Sequence, residues 1–356
     1  MTRIHVRLVT IGDPRTLTGG YLYHLRMAEA AEARDAEMTF FSFPDRTFPT
    51  PLFWGRRMAK AAASCDVLVV DSIAAWCAAP WLGRMNVPIA GMLHQLPGGM
   101  DHGGIRRRSQ APLDRWALRR MDKVLVASGS LRENLASLVD PSRLVVVAPG
   151  RDVASPSTTI EDMRHGRRVA FLSVANWVPR KGTVELLDAF GSLPADLATL
   201  HLVGRTDVDL SYASRVRKLL SSGDLHERVV VHTPLPKEDV AAMYLAADAF
   251  VLPSVEEPYG TVYGEAMASG LPVVGWDAGN LPFLAEDGVS GLIVPTGDVA
   301  GLSEGLKRIA EDDALRARLA AGALERSRSF PTWDETADLF FSELHSLTSS
   351  GHSGRT

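Results

Sequence analysis

Cysteine is scarce in this chain: Cys65 and Cys77 are the only two among 356 residues. Two thiols do not make the disulfide framework of a small secreted domain, and the composition fits a reducing compartment. Long apolar runs are also missing. Nothing reaches the roughly 18 apolar residues of a membrane span, and the opening MTRIHVRLVTIGDPR has no uninterrupted apolar stretch of signal-peptide length. The expectation is a cytoplasmic protein. The dinucleotide fingerprint Gly-x-Gly-x-x-Gly is absent after the first strand, and no repeat of solenoid period stands out.

What is present suffices for two cores: 46% of residues are hydrophobic and 22% charged. The net charge of −4 hides an asymmetry, since residues 1–150 hold 19 Lys+Arg against 13 Asp+Glu while the remainder holds 19 against 29. A basic first half suits an anionic partner or a lipid surface; solvated arginines on helix faces are the plainer reading of any one cluster.

The most informative stretch is PSVEEPYGTVYGEAMASGLPVVG, Pro253–Gly275. Leu252 ends an apolar strand, Pro258 and Gly260 make a turn, Thr261–Ser269 suits a helix, and Gly270 with Pro272 stops it before the strand PVVG. A strand, loop, helix, strand unit belongs to an open α/β sheet, which binds ligands at the carboxyl ends of its strands. The helix start offers free N–H groups to an anion. Glu257 sits in the loop and Glu265 about 9 Å along the helix axis, counted from Tyr259 at about 1.5 Å per residue. Two acceptors beside an anion-binding helix start can grip hydroxyls at either end of a phosphorylated ligand. A single surface Glu is the bland alternative, but small Gly264, Ala266 and Ala268 argue for a closely packed helix.

Glu, seven residues, Glu, then Ala-Met-Ala-Ser-Gly-Leu-Pro-Val-Val resembles the signature of retaining glycosyltransferase family 4 (glycosyl transferases group 1). The resemblance implies the α/β GT-B fold of two facing Rossmann-like domains. It covers nearly the whole chain and is strongest from Asn176 onward. Pro258 stands where the family more often has Gly, Asn280 replaces a common Gly, and Phe283 a common Glu.

The remaining segments fit that frame. Ile4–Thr10 reads as the first strand, followed by a loop ending in Thr18, Gly19 and Gly20 and a helix from Tyr21 to about Ala33. MTFFSF is a second strand, and a Pro-rich segment, Pro44–Pro51, precedes a basic helix with Trp54, Arg56, Arg57 and Lys60. Asp66–Asp71 and Pro88–His94 read as buried parallel strands. His94 then lies at a strand's carboxyl end, where the resemblance implies a His contacting the donor sugar; a structural His is the alternative. Arg106, Arg107, Arg108, Arg115, Arg119 and Arg120 surround Trp116 on a segment that suits a helix facing an acidic acceptor, a membrane or solvent.

The second domain opens with RVAFLSVA, the loop NWVPRKG and a helix from about Thr183 to Phe190. Lys181 at that helix entrance suits a phosphate. The resemblance implies the same role and an Arg five residues earlier; here that position is Asn176, and Arg180 or Arg205 is the expected substitute cation. Strands follow at about Thr199–Val203 and Arg228–His232. The intervening Asp207-x-Asp209, a single occurrence in a polar loop, is rejected as a metal site. Helices at about Val299–Glu311 and Ala314–Arg326 precede a last helix that, by resemblance, braces the first domain through Trp333, Phe340 and Phe341.

The boundaries read are 1–152 for the acceptor-side domain, 153–166 for a linker, 167–328 for the nucleotide-sugar domain, 329–348 for the last helix and 349–356 for a disordered tail. The function implied is retaining transfer of a hexosyl or related unit from a nucleotide diphosphate sugar to an acceptor, anionic or lipid-linked, with no cofactor, no metal and no nucleic-acid partner. Lys181 and the N–H groups of Gly260, Thr261 and Val262 would hold the diphosphate, Glu265 the ribose, Glu257 the sugar. His94, Gly19 and Gly20 would complete the donor site from the first domain. Peripheral membrane contact through the basic half is also expected. Two alternatives stay open: a non-catalytic GT-B subunit that binds sugar nucleotides, favoured by Asn176, and a glycoside hydrolase, whose paired carboxylates stand roughly 5–9.5 Å apart.

Overall fold

The structure, a computed structural model, describes residues 3–15, 19–44, 55–100, 104–152, 160 and 162–349. Thr18, Trp54, most of the Pro-rich segment, linker residues 153–159 and 161, and the tail from 350 lie outside the described residues, as do the side chains of Arg56, Arg106 and Arg107. The chain divides into two units, Met1–Gly150 with Pro331–Thr356, and Arg151–Phe330.

The first unit carries β1 (Ile4–Ile11), β2 (Ala36–Phe43), β3 (Val67–Asp71), β4 (Ile89–Leu93), β5 (Lys123–Val126) and β6 (Leu144–Val146). They form a sheet in the order β2-β1-β3-β4-β5-β6, every pair parallel. All residues of β3 and β4 are buried, as expected where helices cover both faces of a parallel sheet and strand sequences lose their polar alternation. The helix Trp333–Ser349 packs within this unit. Its start is a capping box: Thr332 N–H donates to Glu335 Oε2 (2.7 Å), and Glu335 N–H donates to Thr332 Oγ1 (3.2 Å). Phe340 and Phe341 are buried, Arg34 pairs with Asp338 at 2.8 Å, and Thr336 Oγ1 donates to Ala148 O at 2.8 Å.

The second unit carries β7 (Val169–Val174), β8 (Ala198–Val203), β9 (Val229–His232), β10 (Ala249–Leu252), β11 (Val273–Trp276) and β12 (Gly291–Val294), in the order β12-β11-β10-β7-β8-β9, again parallel. Period-two alternation divides the core between the two faces: Val169 and Phe171 enter one cluster, Ala170 and Leu172 the other. In each unit the strand order reverses direction once, between β1 and β3 and between β7 and β10. Such switch points open a crevice at the strands' carboxyl ends, where open α/β sheets hold their ligands.

Two sequence-based boundaries are corrected. Gly19 and Gly20 do not end a loop but form the first turn of the helix Gly19–Ala30, which stops short of Ala33 at a separate turn, Glu32–Arg34. Arg228 does not open β9; it ends the short helix Leu225–Arg228, fully buried, with its guanidinium 4.7 Å from the Phe190 ring and paired with Asp224 at 3.1 Å. Asp209 ends the loop after β8 and caps the helix Leu210–Leu220 by accepting from Tyr212 N–H at 2.9 Å.

Candidate functional site

In the second unit, the loops after β7 and β10 meet at the switch point. The β7 loop ends in a single turn, Pro179–Lys181, and Gly182 has φ 69°. A Cβ on Gly182 would stand 2.2 Å from Pro253 O, so only glycine allows the two loops to approach this closely. Val255 N–H (2.9 Å) and Ser254 Oγ (3.0 Å) both donate to Arg180 O, fastening one loop to the other. The result places the Lys181 ammonium against the Glu257 carboxylate as an ion pair, both side chains largely buried. Arg180 Nη1 donates to Glu256 O at 3.2 Å.

Glu257 is positioned from a second side. Asn280, 2% exposed, uses its backbone N–H on Glu257 O (2.9 Å) and its side-chain Nδ2 on Tyr259 O (2.8 Å). The residue that departs from the family pattern is therefore a clamp on the Glu257 loop. The helix Thr261–Ala268 starts after Gly260, whose φ of 84° is the left-handed conformation needed to turn the loop into the helix. Its first N–H groups, those of Thr261 and Val262, have no intrahelical acceptor. The helix starts at Thr261, as the sequence suggests; counted from there rather than from Tyr259, Glu265 lies one turn in, about 6 Å along the axis. It is half-buried and accepts from the buried Tyr244 hydroxyl at 3.2 Å. Burial raises the Glu265 pKa, while Lys237 and Tyr244 oppose the shift.

The two polar residues expected to assist Lys181 have other engagements. Asn176 Oδ1 accepts from Arg205 N–H at 3.1 Å, joining the loops after β7 and β8. Arg205 turns its guanidinium onto Asp207 (3.0 and 3.2 Å), both side chains more than half exposed. With Asp209 capping a helix, both carboxylates of the Asp-x-Asp triplet are engaged by donors of the protein itself. Among the described residues no group of three or more His, Cys, Asp or Glu is arranged to hold a metal.

In the first unit, the ends of β1, β3 and β4 bring together Thr10, Asp71 and His94. Asp71 Oδ2 accepts from Thr10 Oγ1 at 2.7 Å and lies 3.3 Å from Nε2 of the buried His24. The His24 and His94 rings meet edge to face with centroids 5.0 Å apart, and Tyr23 approaches His94 at the same distance. Burial alone raises the Asp71 carboxyl, but His24 beside it, with Thr10 and His94, outweighs this and holds it at about 2. Burial, reinforced by His24 and partly offset by Asp71, pushes His94 down to about 3, so its ring is neutral near pH 7. His94 Nε2 is buried without a hydrogen-bond partner. A Cβ on Gly20 would lie 3.4 Å from the His94 ring, whereas one on Gly19 would meet nothing within 4 Å.

Of the residues named from the sequence, the structure brings Lys181 and Glu257 together, gives Glu265 a Tyr244 partner and sets His94 among His24, Thr10 and Asp71; the sequence analysis singled out none of these four neighbours as a site residue. A carboxylate closing a fully buried strand was the available signal for Asp71. Nothing in the local pattern marks His24.

Comparison with known proteins gives the same frame. The family model described as glycosyl transferases group 1 matches residues 161–326, and that described as glycosyltransferase family 4 matches residues 3–155. A D-inositol 3-phosphate glycosyltransferase of Xylanimonas cellulosilytica is 30% identical over 289 residues, covering 74% of this chain and 67% of that protein. The chain belongs to glycosyltransferase family 4. A relative of the same name from Corynebacterium efficiens is 32% identical over 237 residues, 61% of this chain and 55% of its own; the chain spans about half the length of the first such relatives. Sucrose-phosphate synthase from Thermosynechococcus elongatus superposes with a TM-score of 0.84 at 21% identity, covering 98% of this chain and 100% of its own. Anabaena HepE in complex with UDP-glucose gives 0.76 at 19% identity, covering 96% and 99%. These likenesses establish the GT-B fold.

Within family 4, the departures at Asn176 and Asn280 now have local structural accounts. Asn176 takes part in a loop-to-loop hydrogen bond, and Asn280 secures the main chain on both sides of Pro258. Phe283 is 37% exposed, and its carbonyl accepts from Arg326 at 2.8 Å.

Proposed function

We propose that this family 4 protein transfers a sugar from a nucleotide diphosphate sugar to an anionic acceptor, with retention at the anomeric carbon. The observation that carries this reading is the convergence of Lys181, Glu257, the Thr261–Ala268 helix start and Glu265 at the β7/β10 switch point. A leaving diphosphate needs positive charge placed in advance; the Lys181 ammonium and the N–H groups of Gly260, Thr261 and Val262 supply it without a metal. Glu265 receives the ribose hydroxyls, with Tyr244 fixing its carboxylate. Glu257 receives the sugar hydroxyls. Within the first unit, Gly20 keeps the helix start close to the His94 ring, which is neutral near pH 7. Arg180 is the cation next to Lys181 along the chain; Arg205 is held by Asp207.

For the acceptor, the relatives' name specifies D-inositol 3-phosphate, a phosphorylated polyol, which agrees with the basic first half of the sequence. Exposed Arg108, Arg115 and Arg119 lie along and just past the helix Gly104–Leu118, with Arg120 4.7 Å from the Trp116 ring and Arg84 5.2 Å from the Trp81 ring. Such an arginine and tryptophan surface also suits peripheral contact with anionic lipid. Among the described residues no helix is long and apolar enough to cross a membrane.

The test is transfer from UDP-glucose and other nucleotide sugars to inositol phosphates in excess chelator, with the product anomer read by proton NMR. An α-linked donor giving an α-linked product supports the mechanism; a β-linked product refutes retention. Glu257→Ala should abolish transfer, while Glu265→Ala should chiefly weaken nucleotide binding; wild-type rates in both variants would remove these assignments. Binding without turnover on any acceptor would favour a non-catalytic sugar-nucleotide subunit, the reading that Asn176 supports.

A further inference from the structure

Lys181 and Glu257 are 76 residues apart in sequence, yet their side chains, 12% and 13% exposed, meet as an ion pair. The proposed function assigns them to opposite ends of one ligand, the ammonium to the diphosphate and the carboxylate to the sugar. We propose that this pair is a latch that makes the site select the intact nucleotide sugar over the free nucleoside diphosphate. The inference rests on the donor-site reading above.

The argument follows from what each ligand returns to the pair. A free nucleoside diphosphate takes Lys181 only by drawing it from Glu257. The carboxylate is then left largely buried beside a polyanion, with its counter-ion shared or lost, which is strongly unfavourable. An intact donor brings its own compensation. Its phosphates engage Lys181 while its sugar hydroxyls donate charge-assisted hydrogen bonds to Glu257. Only a ligand reaching both groups satisfies both.

Two local features sharpen the effect. Position 176 carries an uncharged Asn, whose Oδ1 is already on Arg205 N–H, so no guanidinium at that position relieves the contact between carboxylate and diphosphate. The Glu257 loop is also held in place through Asn280, which bonds both Glu257 O and Tyr259 O. The carboxylate therefore cannot simply swing away with its backbone. After transfer, the return of Lys181 to Glu257 favours release of the free nucleoside diphosphate.

The test is calorimetric titration of the full chain in excess chelator with UDP and UDP-glucose, then GDP and GDP-mannose, against wild type, Glu257→Gln and Glu257→Asp. Removing the negative charge in Glu257→Gln should tighten binding of the nucleoside diphosphate at least tenfold and shift preference from the intact donor toward the free nucleotide. Glu257→Asp, which keeps the charge but draws it back by one methylene, should show a smaller change in the same direction and serves if the Gln variant does not fold. Unchanged or weaker nucleoside diphosphate binding by the variants, with wild type binding normally, overturns the latch and leaves the donor site standing. Failure of wild type to bind any of these probes overturns the donor-site reading and the latch with it.

Discussion

Asp114 gives the most quantitative prediction. It sits on the helix Gly104–Leu118 at 4% exposure, and its Oδ2 accepts from Gly98 N–H (2.8 Å) and Gln110 Nε2 (3.3 Å). Burial pushes its pKa up from 3.8 to about 7, against the opposing hydrogen bonds. Because the folded value exceeds the unfolded one, the native protein keeps a proton that the unfolded chain releases. Stability therefore falls as pH rises from about 3.8 to about 7 and is flat beyond. At about 1.4 kcal/mol per pH unit, the full loss is about 4 kcal/mol. Asp114→Asn keeps an acceptor for Gly98 and removes the ionisation. Urea unfolding of the first unit should show the variant's advantage growing by about 3 kcal/mol between pH 5 and pH 8. Parallel curves for the two proteins would refute the reasoning. Gly98 lies four residues beyond His94, so the same carboxylate fixes the loop that leaves β4.

The Tyr244 hydroxyl donates to Glu265 at 3.2 Å; Tyr244→Phe should cost about 1 kcal/mol in nucleotide affinity, about fivefold in Kd by calorimetry, with kcat little changed. His94, pushed down to about 3, should show no imidazole titration by NMR between pH 5 and pH 8. The same shift makes its contribution to stability rise with pH from about 3 to about 6.5, since the unfolded chain binds the proton first. A His94 titration near 6.5 would remove the buried environment on which its role depends.

Much of the fold is legible because a doubly wound sheet writes itself plainly. Its strands are short apolar runs, and several end at Gly, Asp or Pro. The helix Thr261–Ala268 is bracketed by Gly260 and Gly270, both at positive φ. Other elements carry weaker marks. Ala75–Leu82 reads AWCAAPWL, with six of its eight residues buried and Pro80 inside it, so it has no amphipathic period to find. The Gly19–Ala30 helix begins on two residues that ordinarily signal a loop. Site chemistry divides in the same way: the carboxylate spacing around Glu257 and Glu265 is local and visible. The Lys181–Glu257 pair, the His24–Asp71 contact and the Asn280 clamp arise from parallel strands bringing distant loops together, and no short window of sequence contains them.

The central claim is a metal-free nucleotide diphosphate site at the β7/β10 switch point. It is tested most directly by thermal unfolding with UDP, GDP, ADP and TDP in excess chelator. A ligand bound only to the folded state at ~100 times its Kd stabilises it by roughly 2.7 kcal/mol. The account predicts a clear upward shift with one of the four, lost in Lys181→Ala. No shift with any of them, or a shift that appears only when a divalent metal is restored, would contradict it.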